Sequence, residues 1–175
     1  MSRTRLITIG AAAAALSALC VVAAGSLPTG RLALYFASSL FVYALAAEDA
    51  YLHAALSFLT AGLVAFLLLG NKPAVLPFAF LLGHFGIVKR LLDRFIPRRL
   101  LRFLLALIYC DVMAGLALLF AQFLLQLDIP AMLPAAPWAC ALIAQPVLSA
   151  YVALYAYCQG IYDSRLRRLL HKGSH

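Results

Sequence analysis

Six long apolar runs, separated by short polar breaks, constrain the fold of this chain more than any other feature. A helix needs about 20 mostly apolar residues to cross the roughly 30 Å hydrocarbon core of a bilayer. The fourth run is the shortest and contains Pro77 and Gly83, so a tilted or re-entrant segment is an alternative to a full span there. The runs cover residues 6–25, 32–47, 50–70, 74–88, 103–127 and 138–160.

Composition favours a bilayer over water as the solvent of this chain. Of the 175 residues, 66% are hydrophobic and 11% are charged, against about 25% charged residues in ordinary soluble domains. The runs are continuous and rich in Leu and Ala, whereas the strands of a membrane barrel alternate between apolar and polar residues. We therefore predict an all-α polytopic membrane protein, a bundle of about six transmembrane helices that forms a single domain over residues 1–175.

The positive charges predict an orientation for this bundle. With six spans, the N-terminus, the link between the fourth and fifth runs and the C-terminal tail share one side and hold 12 of the 14 Lys and Arg residues, leaving only Arg31 and Lys72 on the other. The positive-inside rule then places both termini in the cytoplasm of a multi-pass plasma-membrane protein. Because these charges flank apolar runs, the net charge of +8 indicates the lipid bilayer as a partner and does not favour nucleic acid.

The first run has an alternative interpretation as a signal peptide. The sequence MSRTR resembles a positive n-region, and Val22-Ala23-Ala24 resembles a small-residue cleavage site. Cleavage would leave five spans. The apolar stretch is longer than a usual signal-peptide core, which favours a retained helix.

Small residues in the first run form two parallel rows. Gly10, Ala14 and Ala18 recur every four residues, and Ala11 and Ala15 form the second row. Small residues at this spacing let a second helix approach closely. The rows predict either packing within the bundle or docking against a partner membrane protein.

Asp111 is the only acid deep within a run. It follows Arg102 by nine residues, about 13 Å at helical rise, which places it near the middle of the bilayer. An ionisable group there usually faces the bundle interior or a cavity. The alternatives are a ligand, proton or cation site and a structural hydrogen bond to a residue such as Tyr109 or His84. With His53, these residues form a possible polar cluster, although structural histidines are favoured over metal ligands.

A sparse polar set gathers at the end opposite the basic clusters. Cations and amides around one mouth are suited to a small ligand, an anionic one included. Interface anchoring by Lys, Arg and Trp138 is the alternative. The candidate substrate-binding residues toward this end are Arg31, Asn71, Lys72, Gln122 and Gln145, and Asp111, deeper in the bilayer, is a further candidate.

Other functional signals are missing from the sequence. The chain has no Walker, HExxH or GxSxG motif, and its four cysteines lack metal-binding spacing. We therefore predict no enzymatic activity, no cofactor and no metal site. The link KRLLDRFIPRRLLR reads as an amphipathic segment for an anionic lipid surface or as a docking edge for a partner.

The chain resembles the substrate-binding S components of energy-coupling-factor transporters. The resemblance rests on six predicted spans with both ends inside, the small-residue rows of the first helix, and the turn LPTGRLAL before the second helix. It is also similar to small uncharacterised bacterial six-helix membrane proteins. The resemblance implies a subunit that captures a vitamin-like molecule from outside and hands it to a transmembrane coupling subunit with cytoplasmic ATPases. It further implies that Ala11, Ala14, Ala15 and Ala18 contact the coupling subunit and that Arg31 lies in a gating loop.

Two alternatives come from other classes. The rod-shape-determining six-helix membrane proteins have a similar layout and act as scaffolds that bind partners. A small cation- or proton-linked carrier would use Asp111 as its central residue.

Overall fold

The computed structural model describes residues 3–123, 126 and 137–166, and every element within them is helical. Side chains are described for residues 4–123, 126 and 142–164. The described residues form six helices, here numbered in chain order, and two short helical segments lie between the third and the fourth. Their bounds are α1 Arg3–Ser26, α2 Arg31–Ala47, α3 Tyr51–Leu68, a 3₁₀ segment Lys72–Val75, a π-helical segment Pro77–Leu82, α4 Phe85–Phe95, α5 Arg99–Phe123 and α6 Pro137–Ile161, followed by a π-helical turn Tyr162–Leu166.

Four helical segments in the described part of the chain are long and apolar enough to cross a membrane, and α2 is a shorter apolar helix. This supports a helical membrane protein, whereas six spans and cytoplasmic termini stay predictions. The four segments are Thr4–Ser26, Tyr51–Leu68, Lys72–Phe95 and Arg99–Phe123.

The third helix separates small residues and leucines onto two different faces. Its buried face carries small residues at helical spacing, and its exposed face carries leucines at the same spacing. Apolar side chains on the outside and small ones between helices are the arrangement that a bilayer favours. The buried residues are Ala54, Ser57, Ala61 and Ala65, and the exposed ones include Leu52, Leu56, Leu59, Leu63 and Leu67.

The fourth passage combines three helical forms because of its prolines. Pro73 and Pro77 each lack a backbone N–H, and they lie at the start of the 3₁₀ and π-helical segments. The helix then continues through Lys89 to Phe95, beyond the predicted end of the run at residue 88. Lys89 does not end the helix because its ammonium pairs with Asp93 one turn later.

Contacts between helices define two ends of the bundle. At the basic end, an ion pair joins Arg94 to Asp49 in the link between α2 and α3, and another joins Arg90 to Asp163 after α6. At the opposite end, the Tyr35 hydroxyl donates to the Ala74 carbonyl, which ties α2 to the 3₁₀ segment. The chain therefore runs up and down between these ends.

Aromatic residues join α2, α4 and α6 in the middle of the bundle. Tyr155 lies edge-to-face with Tyr43 and with Phe85, at centroid distances of 5.9 and 5.0 Å. Gly86 permits this approach, because a Cβ there would lie 2.9 Å from the Tyr43 Cβ and would clash with the Tyr155 hydroxyl. The ends of α4 and α6 are thereby fixed beside each other at the basic end.

Candidate functional site

A cavity of about 560 Å³ lies at the basic end, between α4, the first turn of α5 and the last turns of α6. Its walls combine charged side chains with apolar ones, as ligand sites commonly do. The lining residues that carry the argument are Lys89, Asp93, Arg99, Arg102, Phe103 and Gln159; Val152, Ala156, Gly160 and Asp163 complete the wall.

Asp93 is held by two cations within this wall. One carboxylate oxygen, Oδ1, accepts from Lys89 Nζ at 2.7 Å and from Arg102 NH1 at 2.9 Å. The Lys89 side chain is only 7% exposed, and those of Asp93 and Arg102 are 20% and 23% exposed. A buried charge is tolerated only when it is paired, so this three-residue network connects α4 to α5 and keeps Asp93 neutralised.

The second carboxylate of the cavity also has a cationic neighbour. Asp163 Oδ2 lies 3.8 Å from Arg90 NH1, just outside the lining. Three cations and two carboxylates line the cavity, and Arg90 adds a fourth positive charge at its edge. The site therefore carries a net positive charge.

Two donors in the cavity remain without a partner. Gln159 is 6% exposed, and its Nε2 atom has no hydrogen-bond partner among the described residues. Arg99 is exposed and makes no ion pair or side-chain hydrogen bond in the described part of the chain. A buried amide donor without a hydrogen bond costs free energy. A ligand with an acceptor atom in the cavity would remove this cost.

Sequence reasoning did not identify this site. The sequence predicts an amphipathic segment at residues 89–102, for an anionic lipid surface or for a partner, whereas Lys89 and Asp93 belong to a helix whose charged face is partly buried. The signal that was available is the spacing of four between Lys89 and Asp93, which places them on one helix face. No sequence pattern indicates a role for Gln159, because a single amide near the end of a helix is common.

The outer polar set lies elsewhere and lines none of the described cavities. Arg31 Nε donates to the Leu27 carbonyl at 2.7 Å. The Lys72 ammonium donates to the Phe66 carbonyl and lies 4.7 Å from the centroid of the Phe66 ring. Asn71 is exposed beside it, and Gln122 is exposed in the last turn of α5. The side chain of Trp138 lies outside the described residues.

The partner of Asp111 is Gln145, and not Tyr109 or His84, which the sequence suggests. Its carboxylate accepts a hydrogen bond from Gln145 Nε2 at 2.8 Å, which joins α5 to α6 on an exposed face. Two of the substrate-binding candidates are thus brought together. Tyr109 points elsewhere, with its ring edge-to-face against His84.

The histidines lie in separate environments. His84 packs against Phe58 and Tyr109, at centroid distances of 5.4 and 5.7 Å, and its Nδ1 is buried without a partner among the described residues. His53 lines a groove between α1 and α3. No group of three His, Cys, Asp or Glu residues in the described ranges is placed to hold a metal ion.

The two small-residue rows of α1 have different surroundings. Gly10, Ala14 and Ala18 are buried, and the Gly10 carbonyl accepts a hydrogen bond from Ser57 Oγ at 2.9 Å. This row packs against α3 within the chain. Ala11 and Ala15 are exposed, and Ala11 lines the α1–α3 groove of about 380 Å³. Docking of a partner therefore stays a prediction for the second row.

No protein-family model, curated protein or solved structure matches this chain.

Proposed function

We propose that this chain is a membrane-embedded binding subunit that holds a small anionic ligand in the cavity at its basic end. One observation supports this above the others: a cavity with net positive charge contains a buried amide donor, Gln159, that lacks a partner. The described lining has no paired nucleophile and base, so it is suited to binding and not to bond cleavage. In this proposal the basic end faces the cytoplasm.

Filling the cavity with a large side chain tests this proposal. Ala156 lines the cavity, whereas Ala153 is exposed on the same helix and does not line it. The melting temperature of the purified protein is measured with inorganic phosphate, glycerol 3-phosphate, citrate and phosphatidic acid. We expect at least one anion to stabilise wild type and Ala153→Trp, because ligand binding stabilises the folded state, and to lose this effect in Ala156→Trp.

Two outcomes would contradict the proposal. The first is that none of these anions raises the melting temperature of the wild-type protein. The second is that Ala156→Trp responds as strongly as wild type, because the anion would then bind outside the cavity.

A second candidate is the transporter-type subunit that the sequence resembles. It is favoured by the exposure of Ala11 and Ala15 on a helix whose other row is already packed. In this candidate the exposed row contacts a coupling subunit of an energy-coupling-factor transporter, and cytoplasmic ATPases act through that subunit. A scaffold of the rod-shape-determining type would use the same row for a cell-wall protein.

Copurification separates these two partners. The double substitution Ala11→Leu and Ala15→Leu removes the flat row, and Ala153→Leu on α6 is the matched control. We expect the double variant to lose a partner that wild type and the control retain. Recovery of a coupling subunit with ATPases supports the transporter, and recovery of cell-wall proteins supports the scaffold. Equal recovery from all three chains would exclude α1 as the docking helix.

A further inference from the structure

We infer that the ligand of the basic-end cavity is the phosphate group of an anionic membrane lipid. This inference rests on the proposed function, because it names the ligand class of the same cavity. It starts from the two uncommitted donors, the Gln159 amide and the Arg99 guanidinium.

The charge of the cavity fits a phosphate group. Three cations and two carboxylates line the cavity, an excess of one positive charge, and Arg90 adds a second from outside the lining, beside Asp163. A phosphate monoester carries about −1.5 to −2 at neutral pH. Neither carboxylate opposes its entry strongly, because Asp93 is bound by two cations and Asp163 lies beside Arg90.

The donors of the cavity fit the shape of this group. A phosphate accepts several hydrogen bonds at once, and arginine presents a fork of N–H donors that matches its oxygens. Arg99 supplies such a fork, and Gln159 adds a buried N–H. Lys89 and Arg102 stay on Asp93 and contribute their charge from the wall.

The surroundings of the cavity favour a lipid as the source of the phosphate. Basic pockets between transmembrane helices bind the head groups of anionic lipids. Near the cavity, α5 exposes Leu100 and Leu104 at 71% and 46%, and α6 exposes Leu154 at 51%. These side chains offer an apolar surface to acyl chains, and Phe103 adds an apolar wall to the cavity itself. A soluble phosphate ester has no group that would use these surfaces.

The test measures lipid binding to the full chain by native mass spectrometry. Dioleoyl phosphatidic acid is titrated into the detergent-solubilised protein, with dioleoyl phosphatidylcholine as the neutral lipid and glycerol 3-phosphate as the soluble ester. We expect one tightly bound phosphatidic acid. Arg99→Gln should weaken its binding about tenfold, as the loss of one charge-assisted hydrogen bond predicts.

Arg98→Gln is the matched control, because Arg98 is the exposed neighbour of Arg99 and does not line the cavity. We expect less than a twofold change from it. Gln159→Leu is the second variant and should also weaken binding; its melting temperature reports whether it folds. Since Arg99 is exposed, Arg99→Gln carries the test even if Gln159→Leu fails to fold.

Each other outcome overturns the inference in a recognisable way. Equal loss from Arg98→Gln and Arg99→Gln would show attraction by general surface charge. Binding of glycerol 3-phosphate as tight as that of the lipid, or a rise in melting temperature with citrate alone in the earlier test, would reject a lipid phosphate and leave an anion-binding subunit. Binding of no anion at all would overturn both the inference and the proposed function.

Discussion

Helices α1 and α5 are both long and apolar, yet they bury very different shares of their residues. In the most apolar 18-residue window of each helix, 33% of the α1 residues and 11% of the α5 residues are buried. The buried residues of α1 are small or β-branched, and those of α5 are limited to Ala106, Cys110 and Ala121. The two helices are thus equally apolar, but small residues are more numerous in α1 than in α5.

The difference shows which force selects neighbours in this bundle. Lipid solvates a leucine face as well as another helix does, so apolar surface alone gives little preference for association. Close contact requires small residues or polar bonds. In α1, both are present, since Ser17 Oγ donates to the Ser38 carbonyl at 2.9 Å. In α5, Arg102 forms an ion pair with Asp93 of α4, and Asp111 accepts a hydrogen bond from Gln145 of α6.

The largest expected effect concerns the charged link between α4 and α5. Asp93→Asn leaves Lys89 buried without its counter-ion, and breaking a buried pair in this way costs about 3 kcal/mol. The loss is measured as the free energy of unfolding in detergent. Asp49→Asn is the control, because Asp49 and its partner Arg94 are 57% and 61% exposed and exposed pairs contribute at most about 1 kcal/mol. Equal losses would mean that α5 is not tied to α4 by this network.

The next effect is smaller and concerns two glycines, whose replacement by alanine should change the free energy of unfolding in opposite directions. Gly86→Ala places a Cβ against Tyr43, and such overpacking costs about 2 kcal/mol. Gly115→Ala in α5 meets nothing within 4 Å and replaces glycine with a better helix former, so stability should stay equal or rise by about 0.5 kcal/mol. Unfolding of both variants in the same detergent checks this contrast. A loss at Gly115 equal to that at Gly86 would show that α5 packs as tightly as α4.

The smallest effect is expected for Asp111→Asn. The asparagine Oδ1 can still accept from Gln145 Nε2, so the hydrogen bond between α5 and α6 is retained. We expect the melting temperature, and any ligand-induced rise in it, to stay within experimental error. A clear decrease in the melting temperature, or in its ligand-induced rise, would support Asp111 as a cation or ligand site.

Much of the fold could be predicted from the runs themselves. The second run, 32–47, became α2 at Arg31–Ala47, and the third, 50–70, became α3 at Tyr51–Leu68. These ends are marked by local chemistry. Gly30 adopts φ 75° before α2, and Asp49, at φ 58°, follows its end and donates its backbone N–H to the Ala46 carbonyl. The end of the fourth run is harder to predict, because Lys89 marks a boundary in the sequence, whereas Asp93 pairs with it inside the helix.

The candidate site could be predicted less well than the fold. Charge counting identified the basic end, but the cavity depends on which helices meet there. Gln159 comes into the same wall as Lys89 only because the tyrosines of α2 and α6 pack around Phe85 and Gly86. Such contacts join residues about 70 positions apart, and no local pattern reports them. Asp111 and Gln145, 34 residues apart, illustrate the same limit.

The π-helical segment Pro77–Leu82 sets the rotation of everything that follows it in the fourth passage. A π turn accommodates one residue more than an α turn, and each residue of an α-helix advances the chain by roughly 100° around its axis. A chain one residue shorter in this segment would keep α4 intact but turn it by about that angle. Lys89 and Asp93 would still face each other, and both would rotate away from Arg102. The length of the π-helical segment therefore sets the angle at which the charged end of α4 meets α5.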